Sequence, residues 1–217
     1  MEKYFQIGKI NLEHNLLAHL AIAVLFLCIS PILMGVSNLD TASTARVLEM
    51  YVALLGIILI TPINLPEQSK EIRELVEAKF TPSAAVTIIR LTEALFCVFI
   101  LLGSYIILLK SNQCSFPEVK FFLGTFAEAV FLGGIGFFAY SIFDQIAIAY
   151  MLPLVYYMLN YSGRKFVKDF FLFSLSYEGY REKWNLAAVG LILIIAGVCY
   201  PYLAKRVLPR LIWHHSE

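Results

Sequence analysis

Long apolar runs separated by short clusters of charge constrain this chain more than any other feature. A helix needs about 20 mostly apolar residues to cross the hydrocarbon of a bilayer. A helix can do so because it satisfies its own backbone hydrogen bonds where water cannot. The runs cover 16–35, 47–63, 82–109, 121–140, 146–161 and 186–203. Pro31 interrupts the first near its far end, and Pro153 lies inside the fifth, which is the shortest. Charged residues make up 15% of the 217 residues, against about 25% in a soluble domain. The spacing predicts an all-α integral membrane protein of six transmembrane helices, residues 1–217 forming a single transmembrane domain. Polar residues run through His14, and the first apolar run is long enough to span rather than to be removed as a signal.

The same sequence excludes several function classes. A net charge of +1 gives no field that would draw nucleic acid. Cys28, Cys97, Cys114 and Cys199 are far apart and form no CxxC, so neither a redox motif nor a zinc site is expected. His14 and His19 do not share a helix face, and His214 and His215 end the chain, so no metal ligands are expected. Gly134-x-Gly136-x-x-Ala139 imitates part of a dinucleotide fingerprint. That fingerprint works only between a strand and a helix, whereas this one falls inside an apolar run. Gly133, Gly134 and Gly136 are better read as small residues that let another helix approach closely. No GxxxxGK[ST], GxSxG or HExxH occurs. The chain therefore reads as non-enzymatic, with no cofactor of its own.

Lys and Arg should mark the cytoplasmic side. With both termini inside, nine face the cytoplasm and eight face outward. Five of those eight fall in residues 162–185, and without them the ratio is nine to three. On that basis both termini are placed in the cytoplasm.

Two connections carry most of the information. Residues 65–81 read LPEQSKEIRELVEAKFT. Pro66 suits a first helical turn, Glu67 favours its positive end, and Ile72, Leu75, Val76 and Phe80 recur at helical spacing. Lys70–Glu74 and Arg73–Glu77 are i,i+4 pairs of opposite charge. Pro82 ends the segment and begins the next helix. This predicts a short charged amphipathic helix held between two spans: either a solvated loop helix or a docking element. Residues 162–185 mix Phe166, Phe170, Phe171 and Phe173 with Lys165, Lys168 and Asp169. They are too polar to span and too aromatic to float, which predicts one or two short helices lying in, or dipping into, the outer interface.

Glu128 sits near the middle of the fourth run. A central carboxylate costs about 3 kcal/mol on insertion scales. Ten Phe, Leu, Val and Ile residues between Phe121 and Phe138 return roughly 3 to 6 kcal/mol. The span should insert, with Glu128 facing protein or water. It is a candidate for the translocation path or for a buried helix–helix hydrogen bond. Arg90 and Glu93, i,i+3 at the start of the third run, are expected to pair locally.

This layout resembles the membrane subunit of an ATP-binding-cassette exporter of the type-2 permease family. The likeness rests on the six runs and on PEQSKEIRELVEAKFTPSAAVTIIR, where an acidic helix, a Thr-Pro and a later Arg resemble that family's cytoplasmic loop. The N-terminal MEKYFQIGKINLEH is short for the family's interfacial connecting helix. The resemblance implies a cytoplasmic coupling helix over 65–81, with Glu67, Lys70, Glu71, Arg73, Glu74 and Glu77 meeting a separate ATPase subunit. It implies an outer helical hairpin between the fifth and sixth spans, and ATP and magnesium held by the partner. It also implies a second membrane half, identical or not, and a plasma-membrane site. Amphipathic peptides are the implied cargo. The alternatives are the substrate-binding subunit of an energy-coupling-factor importer, or a membrane enzyme or assembly factor.

Overall fold

The computed structural model describes residues 2–68, 83–163, 167–177 and 180–213, and among them every regular element is helical. Five segments are long and apolar enough to cross a membrane: Tyr4–Met34, Thr41–Glu67, Ala84–Ser111, Glu118–Phe143 and Arg181–Pro201. The chain is thus an all-α membrane-embedded protein. The fifth apolar run forms a shorter helix, Ile146–Tyr161. Its 16 residues reach about 24 Å at 1.5 Å per residue, less than the ~30 Å of hydrocarbon.

The first segment begins earlier than the apolar run suggests. Helix α1 (Glu2–Asn11) continues through a π-helical turn, Leu12–Leu16, into α2 (Leu17–Met34). Gly35, at φ +73°, ends it, and the loop 35–40 knits to the loop 112–117. Asn38 N–H donates to Asn112 O at 2.9 Å, and Ser115 N–H to Leu39 O at 3.2 Å. These loops define one face of the bundle, called here the loop face. The chain ends define the opposite, terminal face.

Helix α3 (Thr41–Met50) starts at the loop face under an Asp40 cap, whose side chain accepts from Ser43 N–H. Those bonds to Ser43 hold the Asp40 carboxyl below the usual carboxylate range. The helix breaks at Tyr51 (φ −120°, ψ −61°), turns through 3-10 residues Val52–Leu54, and resumes as α4 (Leu55–Ile60). A second 3-10 stretch, Thr61–Gln68, completes the segment. The break has a physical account. Leu54 N–H donates to Tyr51 O rather than to Met50 O, and Tyr157 O–H supplies the donor that Met50 O would lack. Tyr51 itself stacks on Phe26 at 4.0 Å and donates to Phe26 O at 2.7 Å. Irregular backbone survives in hydrocarbon only with such internal partners.

Helices α5 (Ser83–Ser111) and α6 (Glu118–Phe143) follow. Asp144, left-handed at φ +51°, caps α6, its N–H donating to Tyr140 O. Helix α7 (Ile146–Tyr161) runs back along α6, and α8 (Arg181–Trp213) returns to the terminal face. Helix α6 is the hub, with Ala129, Leu132, Phe137 and Ala139 all buried.

Close approach at glycine builds this hub, as the small-residue reading predicts. A Cβ on Gly56 would lie 1.8 Å from Ala129 O, and one on Gly133 would lie 2.6 Å from Gly56 O. A Cβ on Gly136 would lie 2.9 Å from Ala149 O, a carbonyl whose helical donor is removed by Pro153.

Candidate functional site

The polar centre of the bundle lies toward the loop face, where three helices and an irregular segment meet. Between α7 and α8 the chain forms two 3-10 turns, Lys168–Phe170 and Leu172–Tyr177. The first stays exposed and the second packs inward. Phe171, Leu172, Phe173, Ser174 and Leu175 are all buried. The residues read as an interfacial hairpin over 162–185 thus divide. Residues 171–175 pack into the bundle, 168–170 and 177 stay exposed, and 181–185 are already helix α8.

Backbone without regular structure cannot be left unsatisfied at this depth. Side chains from three helices supply the partners. From α7, Tyr156 O–H donates to Phe170 O at 2.6 Å. Asn160 Oδ1 accepts from Leu172 N–H at 2.9 Å, while Asn160 Nδ2 donates to Tyr156 O. From α3, Glu49 Oε1 accepts from Leu175 N–H at 2.6 Å, and Glu49 Oε2 from both Ser176 N–H (3.2 Å) and Ser176 Oγ (2.7 Å). From α8, Lys183 Nζ donates to Leu172 O.

Lys183 is the centre of this arrangement. Its ammonium carries three donors and no acceptor, and all three find partners: Glu49 Oε1 at 2.7 Å, Glu128 Oε1 and Leu172 O. Glu49 and Glu128 are 0% exposed and Lys183 is 2% exposed. Buried charges persist only when paired and hydrogen-bonded, and here α3, α6 and α8 each contribute one member. Glu128 Oε2 has no hydrogen-bond partner among the described residues.

Glu128 therefore faces protein, as its position in an apolar run requires, and it does so through an ion pair. No pattern in the sequence singles out its partners Glu49 and Lys183. Lys183 stands three residues before the apolar run at 186 and counts there as an outer-loop cation. Glu49 lies at the polar start of its segment. The signal in the sequence is indirect: a carboxylate inside a span requires a cation, and Lys183 is one of several near a neighbouring run, with Arg46 before the run at 47 and Arg90 inside the run at 82.

The terminal face holds a second, smaller polar set. Arg90 donates to Glu67 Oε1 at 2.9 Å, and Glu93 Oε2 accepts from Asn11 at 2.7 Å. The hydrogen bonds of Arg90 and Glu93 thus tie α5 to the second segment and to α1, rather than joining the two residues locally. The π-turn at Leu12–Leu16 lies beside them, with His19 Nδ1 against Asn15 O at 3.0 Å. Of the residues assigned to an ATPase contact, Glu67 is half-buried in this set. Lys70, Glu71, Arg73, Glu74 and Glu77 lie outside the described residues. Among the described residues no cluster of His, Cys, Asp and Glu could hold a metal ion.

In comparisons with known proteins, no family model, curated protein or solved structure matches the chain.

Proposed function

We propose that this chain is the permease subunit of an ATP-driven exporter, working with a separate ATPase polypeptide and a second membrane half. In this reading the chain crosses the plasma membrane six times, with α7 as the short fifth crossing and both termini in the cytoplasm. Residues 65–81 form the coupling helix. ATP and magnesium reside on the partner, which pushes on Glu67, Lys70, Glu71, Arg73, Glu74 and Glu77. The cargo is an amphipathic peptide or another hydrophobic substrate.

The observation that carries the reading is the segment 170–176, whose middle is buried between α7 and α8. A type-2 permease places a helical hairpin between its last two crossings on the outer side. Here the corresponding connection folds into the bundle and is bonded to three helices. An importer's substrate-binding subunit or a membrane enzyme would need convergent polar groups in an open pocket. The polar groups that converge here, Glu49, Glu128 and Lys183, are buried and bonded to one another. On this account Glu128 acts on the transport path through Lys183 and the segment 170–176.

Affinity purification of the tagged chain from its native membrane tests the proposal. A polypeptide with ATPase activity should co-purify in stoichiometric amount. Glu71→Lys with Glu74→Lys should leave membrane insertion unchanged while the ATPase is lost from the complex or is no longer stimulated. A wild-type chain that purifies without an ATPase, or a double variant that retains full coupling, would contradict it.

A further inference from the structure

The lipid-facing surface between α6 and α8 contains a cavity of about 170 Å³. Leu123, Phe126 and Ala127 form one wall, and Trp184, Ala187 and Leu191 the other. The two helices run in the same direction. They meet closely farther along, where a Cβ on Gly134 would lie 3.1 Å from Gly190 O and one on Gly190 would lie 2.9 Å from Phe131 Cα. Toward the loop face they separate. The small side chains of Ala127 and Ala187 line the space between them. Trp184 is 66% exposed, and Leu123 and Leu191 are exposed as well, so the groove opens sideways, toward where acyl chains lie.

Two exposed cations stand beside the groove, while Glu182 in the same turn of α8 is buried and Glu118 pairs with Lys110. Lys120 stands one turn above Leu123 on α6 and is exposed. Eight residues separate it from Glu128, which is about 12 Å of helix. Arg181 is exposed in the first turn of α8, beside Tyr180 and one turn from Trp184. Because Lys183 bonds Glu128, Arg181 lies deeper than Lys120. Among the described residues neither Lys120 nor Arg181 forms an ion pair. An arginine below the rim of a lipid-facing surface needs an anion, and its long stem reaches upward to meet one.

We infer that this groove binds an anionic phospholipid, its phosphate held between Lys120 and Arg181 and one acyl chain lying along Leu123, Phe126 and Leu191. Tyr180 and Trp184, edge to face at 6.4 Å, suit the boundary between headgroup and chain. The stem of Lys183 forms part of the groove wall, so the lipid would lie directly behind the buried ion cluster.

Native mass spectrometry of the purified chain, offered phosphatidylglycerol and phosphatidylcholine of the same chain length, tests this. The wild type should retain phosphatidylglycerol with roughly a thirtyfold preference, the order expected of two basic residues at a lipid surface. Lys120→Ser with Arg181→Ser should abolish the preference while leaving residual binding of both lipids. Ala187→Trp, which fills the groove, should remove the bound lipid altogether. Should Ala187→Trp fail to fold, the charge variant still decides the matter. Equal retention of the two lipids by the wild type, or an unchanged preference in the charge variant, would overturn the inference. So would a groove occupied by a second copy of the chain, seen as a dimer carrying no lipid.

Discussion

Lys183→Met should destabilise the folded bundle by about 3–5 kcal/mol, the range for removing one partner of a buried ion pair. Methionine matches the stem of lysine in length but removes every donor. Glu49 and Glu128 would then face each other in the dry interior with no cation between them, and Leu172 O would lose its partner. The cost comes from the charges left behind, and this makes a second result specific. The triple variant Lys183→Met, Glu49→Gln, Glu128→Gln removes those charges together and should be more stable than Lys183→Met alone, although it carries more substitutions. Glu128→Gln by itself keeps an acceptor for Nζ and leaves the Lys183–Glu49 bond in place, so it should be the mildest of the three. Thermal unfolding of the detergent-solubilised variants gives the order. A single variant as stable as the wild type, or a triple variant less stable than the single, would show that the cluster does not hold the bundle together.

Gly56 should be almost as intolerant, for a steric reason. A Cβ there would lie 1.8 Å from Ala129 O, with Ala129 C and Cα behind it. Overpacking ordinarily costs about 1–3 kcal/mol, because side chains move aside. The obstacle at Gly56 is the backbone of α6, which cannot rotate away, so Gly56→Ala should fall at or above the top of that range. Gly103→Ala is the control. Its Cβ would meet only Phe122, at 3.7 Å, and alanine favours a helix over glycine by about 1 kcal/mol. The two substitutions should therefore move the unfolding temperature in opposite directions. Equal and small shifts would mean that α4 and α6 are not in contact at Gly56.

Much of this architecture can be read from the residues, and its limits have physical causes. Periodicity and length expose the apolar helices because hydrocarbon permits little else. Glu128 stands out for the same reason, as a carboxylate with apolar neighbours on both sides. Its partners are harder to find. Glu49 is the third residue of the apolar run 47–63 and follows the polar residues Thr41, Ser43, Thr44 and Arg46, so it reads as the rim of a span rather than as its interior. Lys183 belongs to a helix that starts at Arg181, five residues before the apolar run at 186. Which carboxylate meets which ammonium depends on the packing of α3, α6 and α8, and no local pattern records that.

The aromatic residues of 162–185 show a related ambiguity. Phe171 and Phe173 have the composition of a headgroup layer, yet both are buried. A segment can carry interfacial residues and still be drawn inward when other side chains satisfy its backbone. Asn160, Tyr156 and Glu49 do that here, and they come from helices that precede the segment in the chain. The break at Tyr51 is likewise invisible in sequence, since neither Pro nor Gly marks it. The donor that compensates it is Tyr157, more than a hundred residues away.

The side of the membrane that residues 65–81 occupy decides whether an ATPase can reach them. In the proposed arrangement they share the cytoplasmic side with both termini, and an ATPase can reach them only there. Single cysteines placed at Asn38, Gln113, Ser69 and Ser216, in a background free of Cys28, Cys97, Cys114 and Cys199, measure this in intact cells. An impermeant thiol reagent should label the cysteines at Asn38 and Gln113 from outside. It should label those at Ser69 and Ser216 only after the membrane is opened. Labelling of the Ser69 position in intact cells would contradict the account, because the proposed coupling helix would then face away from any source of ATP.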